Sequence, residues 1–456
     1  MLTKAAVQER LPPGPRVPHA LQTVLMWRYP HHWLRRCRRR YGDVFTVYAA
    51  PPGTLVYLTN PADIKTVFAG DPAVYHAGEA NSVLRGVLGD SSVLLLDEDR
   101  HRDRRRLMMP PFHRDAVRRQ AEVMAEIAAE DVAGWPVGRP FPVAPRMAAI
   151  TLEVILRTVV GTSEPDRLAA LRRALPPVVN MNLLGMTAML YPELLRYRPW
   201  HGVRRRREEA DRLLHGEIAA RRADPELARR PDVLSMLVRA ASAEPADGGG
   251  AMTDRELRDQ LVTLLAAGHE TTATALTWTL ERLVRHPEAL RKAVEAADAE
   301  GTDGDEYLDA VVKESLRIRP VIYDVARKLT APVEVAGYRL PPGVLVMPGI
   351  GLVHESADRY PDPDRFDPDR MLGTTPPPTV WLPFGGGGRR CLGATFALVE
   401  ARVVLREVLR GVELETTDAP GERQRVKHIT LVPRHGGRIR VRARRRAKTR
   451  EWVGSS

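Results

Sequence analysis

The sequence predicts a mainly α-helical fold with a small β region, and three patterns support this prediction. Residues 60–240 consist mostly of helical segments interrupted by Pro and Gly pairs. A capping box, in which Thr253 is followed three residues later by Glu256, opens a long helix. Short runs of β-branched and aromatic residues occur within 44–58 and 333–347, which favours small sheets there.

The first 58 residues divide into an extended segment, a helix and a hairpin. A stiff, proline-rich segment covers residues 1–18. Residues 20–41 are predicted to form one helix that ends in a basic run. Val44–Tyr48 and Thr54–Leu58 are predicted strands on either side of the turn Pro51-Pro52-Gly53.

The long helix is the main element predicted for the second half of the chain. It runs from Thr253 to about Arg285, where His286-Pro287 ends it, and it is roughly 45–50 Å long. The glycine-rich stretch Ala243–Ala251 before it predicts a flexible loop.

The remaining elements are short strands and a tail. Val333–Val335, Tyr338–Leu340 and Val344–Met347 are predicted strands separated by turn residues. A last strand is predicted from Arg438, and residues 443–456 are expected to form a basic, disordered tail.

The composition restricts the possible classes of function. The chain has 456 residues, 44% of them hydrophobic, and a net charge of +12, but no nucleic-acid-binding module accompanies the charge. Only Cys37 and Cys391 are cysteines, which excludes a disulfide framework and fits a reducing cytoplasm. The N-terminus has no apolar signal region, and no run approaches the ~18 apolar residues of a spanning helix. We therefore expect a cytoplasmic monomer with no membrane anchor and no nucleic-acid partner.

Cys391 lies between a glycine-rich, cationic loop and a predicted helix that Gly411 ends. A helix N-terminus and two adjacent arginines favour an anion, so the pKa of the thiol is expected to be lowered. Such a thiolate is suited to nucleophilic catalysis or to metal ligation. A nucleophile needs a histidine base, which only a residue distant in sequence could supply, and a structural zinc needs more ligands than any cluster offers. A haem iron needs one cysteine.

The stretch around Cys391 resembles the haem-binding loop of the cytochrome P-450 superfamily, the haem-thiolate monooxygenases. The family pattern Phe-x-x-Gly-x-Arg-x-Cys-x-Gly is matched by Phe384, Gly387, Arg389, Cys391 and Gly393. The resemblance implies a single-domain cytochrome P-450 fold, with a long central helix over a haem. It also implies that the loop binds haem b and that Cys391 is the axial ligand of the iron.

Further cationic residues match propionate ligands of the resembled family. His101 and Arg105 lie one turn apart on a predicted helix and share a face. The family uses such a His-x-x-x-Arg pair to hold a haem propionate, and by resemblance Arg327 and Arg389 neutralise the propionates with it. A solvated basic helix face is the alternative interpretation of the His101–Arg105 pair.

The middle of the long helix carries residues that weaken a helix. Gly268, the adjacent Thr271 and Thr272, and the carboxylate of Glu270 occur together in an apolar context. The stretch matches the family pattern Ala/Gly-Gly-x-Asp/Glu-Thr. By resemblance, Glu270 and Thr271 are the acid–alcohol pair that delivers protons to bound O₂, and a plain helix kink is the alternative.

Glu314 and Arg317 form the family's Glu-x-x-Arg motif on another predicted helix. In the family this pair is buried and joined by a third arginine, which here corresponds to Arg370 in the segment Phe366–Arg370. The implied role of these three residues is structural.

The resemblance implies a monooxygenase whose domain spans residues 19–442. It inserts one oxygen atom of O₂ into a hydrophobic small molecule, by hydroxylation or epoxidation. Positions expected to face the substrate by resemblance are Ala267, Val321, Ile322, Tyr323 and Ile429. The alternatives are a haem-thiolate peroxygenase or isomerase and a non-catalytic haem sensor or carrier.

Electrons are expected from separate proteins, because the sequence contains no fused flavin or iron–sulfur domain. The resembled family docks its electron donors on the thiolate side. Arg102, Arg104, Arg106 and Arg390 are expected to form a cationic surface there. Such a surface would steer an acidic ferredoxin or flavodoxin, supplied by its reductase.

Overall fold

The chain folds into one mainly helical domain with small sheets, which confirms the predicted fold class; helices account for 56% and strands for 12%. The structure is a computed structural model, and it describes residues 11–162, 164–179, 183–242, 252–299, 301–373 and 376–445. The predicted flexible loop Ala243–Ala251 lies outside these ranges, as do residues 446–456 of the predicted tail and the first ten residues of the predicted extended segment.

The helices alternate between long, packed elements and short connecting turns. Their bounds are α1 His19–Arg28, α2 Pro30–Tyr41, α3 Pro61–Phe68, α4 Ala77–Ala80, α5 Arg85–Leu88, α6 Glu98–Met108, α7 Arg114–Arg118, α8 Ala121–Ala133, α9 Ala144–Ile155, α10 Pro165–Ala174, α11 Pro176–Val179, α12 Leu183–Leu190, α13 His201–Arg222, α14 Val233–Ser242, α15 Asp254–Leu283, α16 Pro287–Asp298, α17 Asp305–Ile318, α18 Ile350–His354 and α19 Ala394–Gly411. Across the described ranges, none of them combines the length and the apolar character needed to cross a bilayer.

The strands are short and belong to four small sheets. They are β1 Val44–Ala49, β2 Gly53–Leu58, β3 Tyr75–His76, β4 Pro140–Pro142, β5 Arg327–Leu329, β6 Val333–Val335, β7 Tyr338–Leu340, β8 Leu345–Pro348, β9 Val412–Leu414, β10 Gln424–Lys427, β11 Thr430–Pro433 and β12 Arg438–Arg444. The predicted hairpin is present as β1 and β2, and it is extended in the order β1-β2-β8-β5-β3. The other sheets have the orders β4-β12-β9, β6-β7 and β10-β11.

The long helix α15 is the central element, and its predicted start is confirmed. The Thr253 hydroxyl accepts a hydrogen bond from the Glu256 N–H at 3.2 Å, and the Glu256 carboxylate accepts one from the Thr253 N–H at 2.9 Å. Gly268, in the middle of α15, allows a close approach to α9, because a Cβ there would lie 3.0 Å from Cδ1 of Ile155. Helices α13, α17 and α19 also pack against α15, so its middle lies deep in the molecule.

Two predicted boundaries differ from the structure. The single helix predicted for residues 20–41 is two helices, because Tyr29 leaves the helical conformation (φ −142°, ψ 48°) and Pro30 cannot continue the hydrogen bonding of α1. The last strand continues to Arg444, two residues beyond the predicted domain end at 442. Arg445 then pairs with Asp298 at 2.6 Å, so the ordered chain reaches into the predicted tail.

The predicted structural cluster around Glu314 is confirmed. Glu314 and Arg317 form a fully buried ion pair at 2.7 Å, and Arg370 lies 3.2 Å from the same carboxylate. The Arg317 guanidinium also donates to the backbone carbonyls of His354 and Pro363. One buried charge therefore ties α17 to the segment that leads into the Cys391 loop.

Candidate functional site

The Cys391 loop is held in shape by its own backbone. The Cys391 N–H donates to the carbonyl oxygen of Phe384 at 2.9 Å, which closes the loop across the glycine run. Helix α19 begins at Ala394, so the thiol lies just before a helix N-terminus, as the sequence predicts. The backbone N–H of Gly393 donates to the sulfur. The loop therefore presents one sulfur with a hydrogen-bond donor already in place.

Two of the glycines are required by the close packing of the loop on α3. A Cβ at Gly386 would lie 2.3 Å from the ring of Phe68, and one at Gly387 would lie 2.0 Å from the Phe68 carbonyl oxygen. Gly387 also has a positive φ of 64°, which favours glycine. Gly393 differs from both, because a Cβ there would meet no protein atom within 4 Å. The packing of the described residues thus does not require glycine at 393, and open space borders Gly393.

The pKa of the Cys391 thiol is raised, and the predicted lowering is wrong for the protein alone. The sulfur is reached by solvent, but it is densely surrounded by protein atoms, and this burial outweighs the Gly393 N–H and the charges of Arg105 and Arg390. A metal ion deprotonates a coordinating thiol outright. Metal ligation therefore supplies what the surrounding residues do not.

The predicted cationic residues come together beside this loop. Burial and the guanidinium groups of Arg389 and Arg105 lower the pKa of His101 to about 4, so its neutral ring acts as a hydrogen-bond donor or acceptor. Burial and Arg389 lower the pKa of Arg327 to about 10. Arg105 in turn acts on the pKa of Cys391. Residues from α6, β5 and the Cys391 loop thus share one electrostatic site.

Asp97 is the carboxylate that acts on this cluster, and sequence reasoning missed it. It lies 2.5 Å from the Arg389 guanidinium and accepts hydrogen bonds from the N–H groups of Gly78 and Glu79, both at 2.8 Å. Its position in the sequence, just before the helix that carries His101, is the feature from which its role could have been predicted. Arg389 is therefore already paired, whereas Arg105 and Arg327 form no ion pair within the described ranges.

These residues fit a haem. Arg327 is only 7% exposed, and a buried cation without a counter-charge is costly unless a ligand supplies one. Two unpaired guanidinium groups beside a single thiol match a flat ligand that carries two carboxylates and a metal ion. The open space beside Gly393 agrees with such a ligand.

Side-chain hydroxyl groups bind backbone carbonyls in the middle of α15. The Thr271 hydroxyl donates to the carbonyl oxygen of Ala267 at 2.5 Å. Thr151 on α9 donates to the carbonyl oxygen of His269 at 3.1 Å and lies 3.0 Å from Nδ1 of the same residue. Two side-chain hydroxyls therefore bind helix carbonyls that are two residues apart, both just before Glu270.

Glu270 is held by residues of the β10–β11 hairpin. Nζ of Lys427 lies 3.0 Å from its carboxylate, Nδ1 of His428 lies at 3.6 Å and the Thr430 hydroxyl donates at 3.3 Å. Burial raises the pKa of Glu270, but the contacts with His428 and Lys427 outweigh it and leave the pKa below its usual value. These partners were not predicted, because 157 positions separate Lys427 from Glu270 and no local pattern joins them.

A second carboxyl group lies beneath the same helix. Glu400 on α19 is 1% exposed, and its carboxyl group is hydrogen-bonded to Thr272, the neighbour of Thr271. One carboxyl oxygen, Oε1, has no hydrogen-bond partner in the part of the chain that the structure describes. Burial raises the pKa of Glu400 to about 8. The contact joins α19, the helix that follows Cys391, to α15 at the residue after the predicted acid–alcohol pair.

The positions expected to face a substrate divide into two groups. Ala267 is exposed on α15, and Ile429 at the hairpin turn is 60% exposed. Val321 and Tyr323 are buried. The Tyr323 hydroxyl donates to Glu355 at 3.4 Å, and its ring packs against His31. The prediction for Tyr323 is therefore wrong, because the side chain belongs to the N-terminal core.

Comparison with known proteins identifies the family. The sequence model described as "Cytochrome P450" matches residues 10–438. The putative cytochrome P450 135B1 of Mycobacterium tuberculosis is 64% identical over 438 residues, which cover 95% of this chain and 92% of that protein. The putative cytochrome P450 135A1 of the same organism is 43% identical, with 96% of each chain covered.

The fold comparison agrees. The solved structure described as "Retinoic acid bound cyanobacterial CYP120A1" matches with a TM-score of 0.80 at 23% identity, covering 95% of this chain and 99% of that one. The chain therefore belongs to the cytochrome P450 family and is a haem-thiolate monooxygenase with haem b as its cofactor.

Proposed function

We propose that this cytochrome P450 inserts one atom of O₂ into a hydrophobic small molecule, by hydroxylation or epoxidation, using electrons from a separate acidic carrier. The observation that carries the proposal is a pair of guanidinium groups with no ion pair in the described ranges, the buried Arg327 and the half-buried Arg105, in the electrostatic site of the Cys391 thiol. A monooxygenase needs the haem to be held in one orientation between a thiolate and a proton-delivery groove, and these charges fix that orientation.

Each part of the cofactor has a proposed protein partner. Cys391 binds the iron, with the Gly393 N–H on its sulfur. Arg105, Arg327 and Arg389 bind the two propionates, and His101 adds a hydrogen bond. Phe384 closes the loop through its carbonyl oxygen, as its hydrogen bond to the Cys391 N–H indicates. When bound, the haem supplies the reductive activation of O₂.

Proton delivery is assigned to Glu270 and Thr271. Glu270 is ionised and faces Lys427 and His428, so it can accept a proton from the solvent side of the hairpin. The Thr271 hydroxyl, now bonded to Ala267, can turn from that carbonyl to donate a hydrogen bond on the O₂ side. The presence of both Glu270 and Thr271 favours an enzyme that uses O₂. An enzyme that uses peroxide needs no proton delivery to bound O₂.

The substrate is proposed to be hydrophobic, because the exposed positions at the groove are apolar. Ala267 on α15 and Ile429 on the hairpin present no hydrogen-bonding side chain. An apolar surface orients a substrate by shape and by exclusion of water.

The electron donor is proposed to bind near Cys391 through arginines, with one correction to the predicted set. Arg104 is only 13% exposed and pairs with Glu256 at 2.6 Å, so it does not belong to the docking surface. Arg102, Arg106 and Arg390 are exposed and remain the candidates for attracting an acidic ferredoxin or flavodoxin, although Arg102 also contacts Asp99 at 2.9 Å.

The test is a screen of hydrophobic compounds for a shift in the haem spin state, followed by turnover of each positive compound. Reactions with NADPH, a reductase, a ferredoxin and isotopically labelled O₂ are expected to give product that carries one labelled atom. Product formed only with added peroxide would replace the proposal by a peroxygenase. Unlabelled, rearranged product would indicate an isomerase, and binding without any product would indicate a sensor or carrier.

A further inference from the structure

Helix α1 is attached to the protein by a polar residue. Gln22 is its buried residue, at 4% exposure. The Gln22 amide donates to the carbonyl oxygens of Pro15 and Val17 at 3.1 and 3.0 Å, and its side-chain oxygen accepts from the Tyr48 N–H at 3.0 Å. Amphipathic helices of globular proteins normally bury their apolar stripe instead. Met26 packs against the core that contains Phe45 and Tyr57, but Leu21, Val24 and Trp27 are left for another contact.

Those apolar residues form a row on the outside of the molecule. Leu21, Val24 and Trp27 are spaced by three residues, so they lie along one side of the helix, with exposures of 47%, 58% and 62%. Tyr29, at the end of α1, is 50% exposed. Single exposed apolar residues are ordinary, but a continuous row of this kind marks an interaction site.

Among Lys, Arg, Asp and Glu, this N-terminal segment contains only positively charged side chains. Residues 11–42 contain seven arginines and neither aspartate nor glutamate. Arg35 and Arg38 are used within the fold, where they pair with Glu355 and Asp43. Five others are exposed and form no ion pair among the described residues: Arg16, Arg28, Arg36, Arg39 and Arg40. The apolar row and these five arginines are called the α1 face.

We propose that the α1 face binds the surface of an anionic lipid bilayer, so that the enzyme associates peripherally with membranes. Tryptophan and tyrosine favour the boundary between headgroups and acyl chains, and arginine binds lipid phosphate. A single row of apolar side chains suits shallow insertion of a helix that lies in the plane of the bilayer. A second copy of this chain is a poor occupant, because a two-fold interface would bring identical arginine clusters together.

The test is flotation of the full-length holoenzyme with vesicles of phosphatidylcholine alone and of phosphatidylcholine with an equal part of phosphatidylglycerol. The protein is expected to float with the anionic vesicles only. The double substitution Val24→Ser and Trp27→Ser is expected to weaken this binding at least ~tenfold, since it removes the inserted side chains. Arg36→Gln with Arg39→Gln is expected to weaken it and to reduce its sensitivity to salt.

Control substitutions are available on surfaces away from α1. Val137→Ser removes a comparably exposed apolar residue, and Arg205→Gln removes an exposed arginine on α13. Both are expected to leave flotation unchanged, and all variants are expected to keep the parent melting temperature. Equal binding by the Val24–Trp27 variant, absence of binding to anionic vesicles, or a solution dimer that Trp27→Ser dissociates would each overturn the proposal.

Discussion

Nζ of Lys427 lies 3.0 Å from the carboxylate of Glu270, so the predicted proton-delivery acid is held by a hairpin near the C-terminal end of the domain. Thr430 and His428 of the same hairpin contact this carboxylate, and Ile429 lies at its exposed turn. The residues that fix the charge of Glu270 therefore flank a proposed substrate contact. We therefore expect this hairpin to couple substrate position to the protonation of Glu270.

Substitution of Lys427 by Met is expected to destabilise the protein by about 1–2 kcal/mol near neutral pH, because Glu270 loses a half-buried partner. The pKa of Glu270 is lowered in the folded chain. The ion pair thus contributes stability above the ordinary glutamate pKa of 4.5, and this contribution disappears as the pH falls through the folded pKa. Urea unfolding at several pH values should show the variant and the parent converging in acid. A constant difference at every pH would contradict this account.

Glu400 is expected to affect stability with the opposite sign. Its pKa is raised from 4.5 to about 8, so between these values the folded chain holds a proton that the unfolded chain has lost. Stability then falls as the pH rises through this window, by up to ~1.4 kcal/mol per pH unit. Glu400→Gln keeps the shape and should remove this decline. Exposed Glu413→Gln is the control. If the free energy of unfolding changed with pH in the same way for Glu400→Gln and the parent, Glu400 would be ionised in the folded protein.

Replacement of Thr271 by Ala is expected to leave haem and substrate binding intact and to divert electrons to hydrogen peroxide. Product per NADPH should fall about tenfold or more, as is usual when a proton-transfer group is lost. The matched control is Thr279→Ala, because Thr279 makes the same hydroxyl-to-carbonyl bond on α15, to Ala275 at 2.8 Å. If product per NADPH fell equally in Thr271→Ala and Thr279→Ala, the effect would be due to a loss of helix stability.

Local patterns were sufficient to predict much of the fold. The Thr253–Glu256 capping box, the hairpin around Pro51-Pro52-Gly53 and the helix after Cys391 depend on neighbours within a few residues, and all three are present. The break at Tyr29 was not predicted, although Pro30 is a local signal for it, because proline cannot continue the hydrogen bonding of the preceding helix. The β5 and β3 strands were not predicted, since runs of two or three residues carry no periodicity.

The main residues of the site could be predicted from the sequence, but some of their tertiary contacts could not. The resemblance placed Cys391, Arg105 and Arg327 together, and the structure brings them to one electrostatic site. Asp97 and Lys427 were missed, because they act across tertiary contacts that no spacing rule encodes. The raised pKa of Cys391 has the same origin: adjacent arginines are visible in the sequence, whereas burial is a property of the folded chain.

Replacement of Arg327 by Met is expected to have opposite effects on the protein with and without haem. Haem should be lost faster to a scavenger, because a propionate loses its partner. The haem-free protein should gain about 1–2 kcal/mol of stability, because Arg327 is a buried cation with no ion pair among the described residues. Arg317→Met is the contrasting control, since it breaks a buried pair and should cost both forms ~3–5 kcal/mol. Loss of stability in haem-free Arg327→Met would make Arg327 a structural residue.

Charge reversal at Arg106 and Arg390 is expected to slow delivery of the first electron from an acidic ferredoxin. Both side chains are exposed on the side of the Cys391 loop and α6, and electrostatic steering raises association rates by ~10-fold or more at low ionic strength. Because the screening length is only ~10 Å at 0.1 M salt, the parent rate should fall steeply with added salt, whereas the double variant should respond weakly.

Stopped-flow reduction in the presence of carbon monoxide measures this rate and also reports whether the thiolate ligand is intact. Arg205→Glu with Arg206→Glu on α13 is the control, because it makes the same change of charge on another exposed surface. If rates in the double variant and in this control fall equally, the effect belongs to net charge. If the reduction rates of the parent and of the double variant are both insensitive to salt, the donor docks on another surface. Arg106 and Arg390 then serve only to keep their helix and loop solvated.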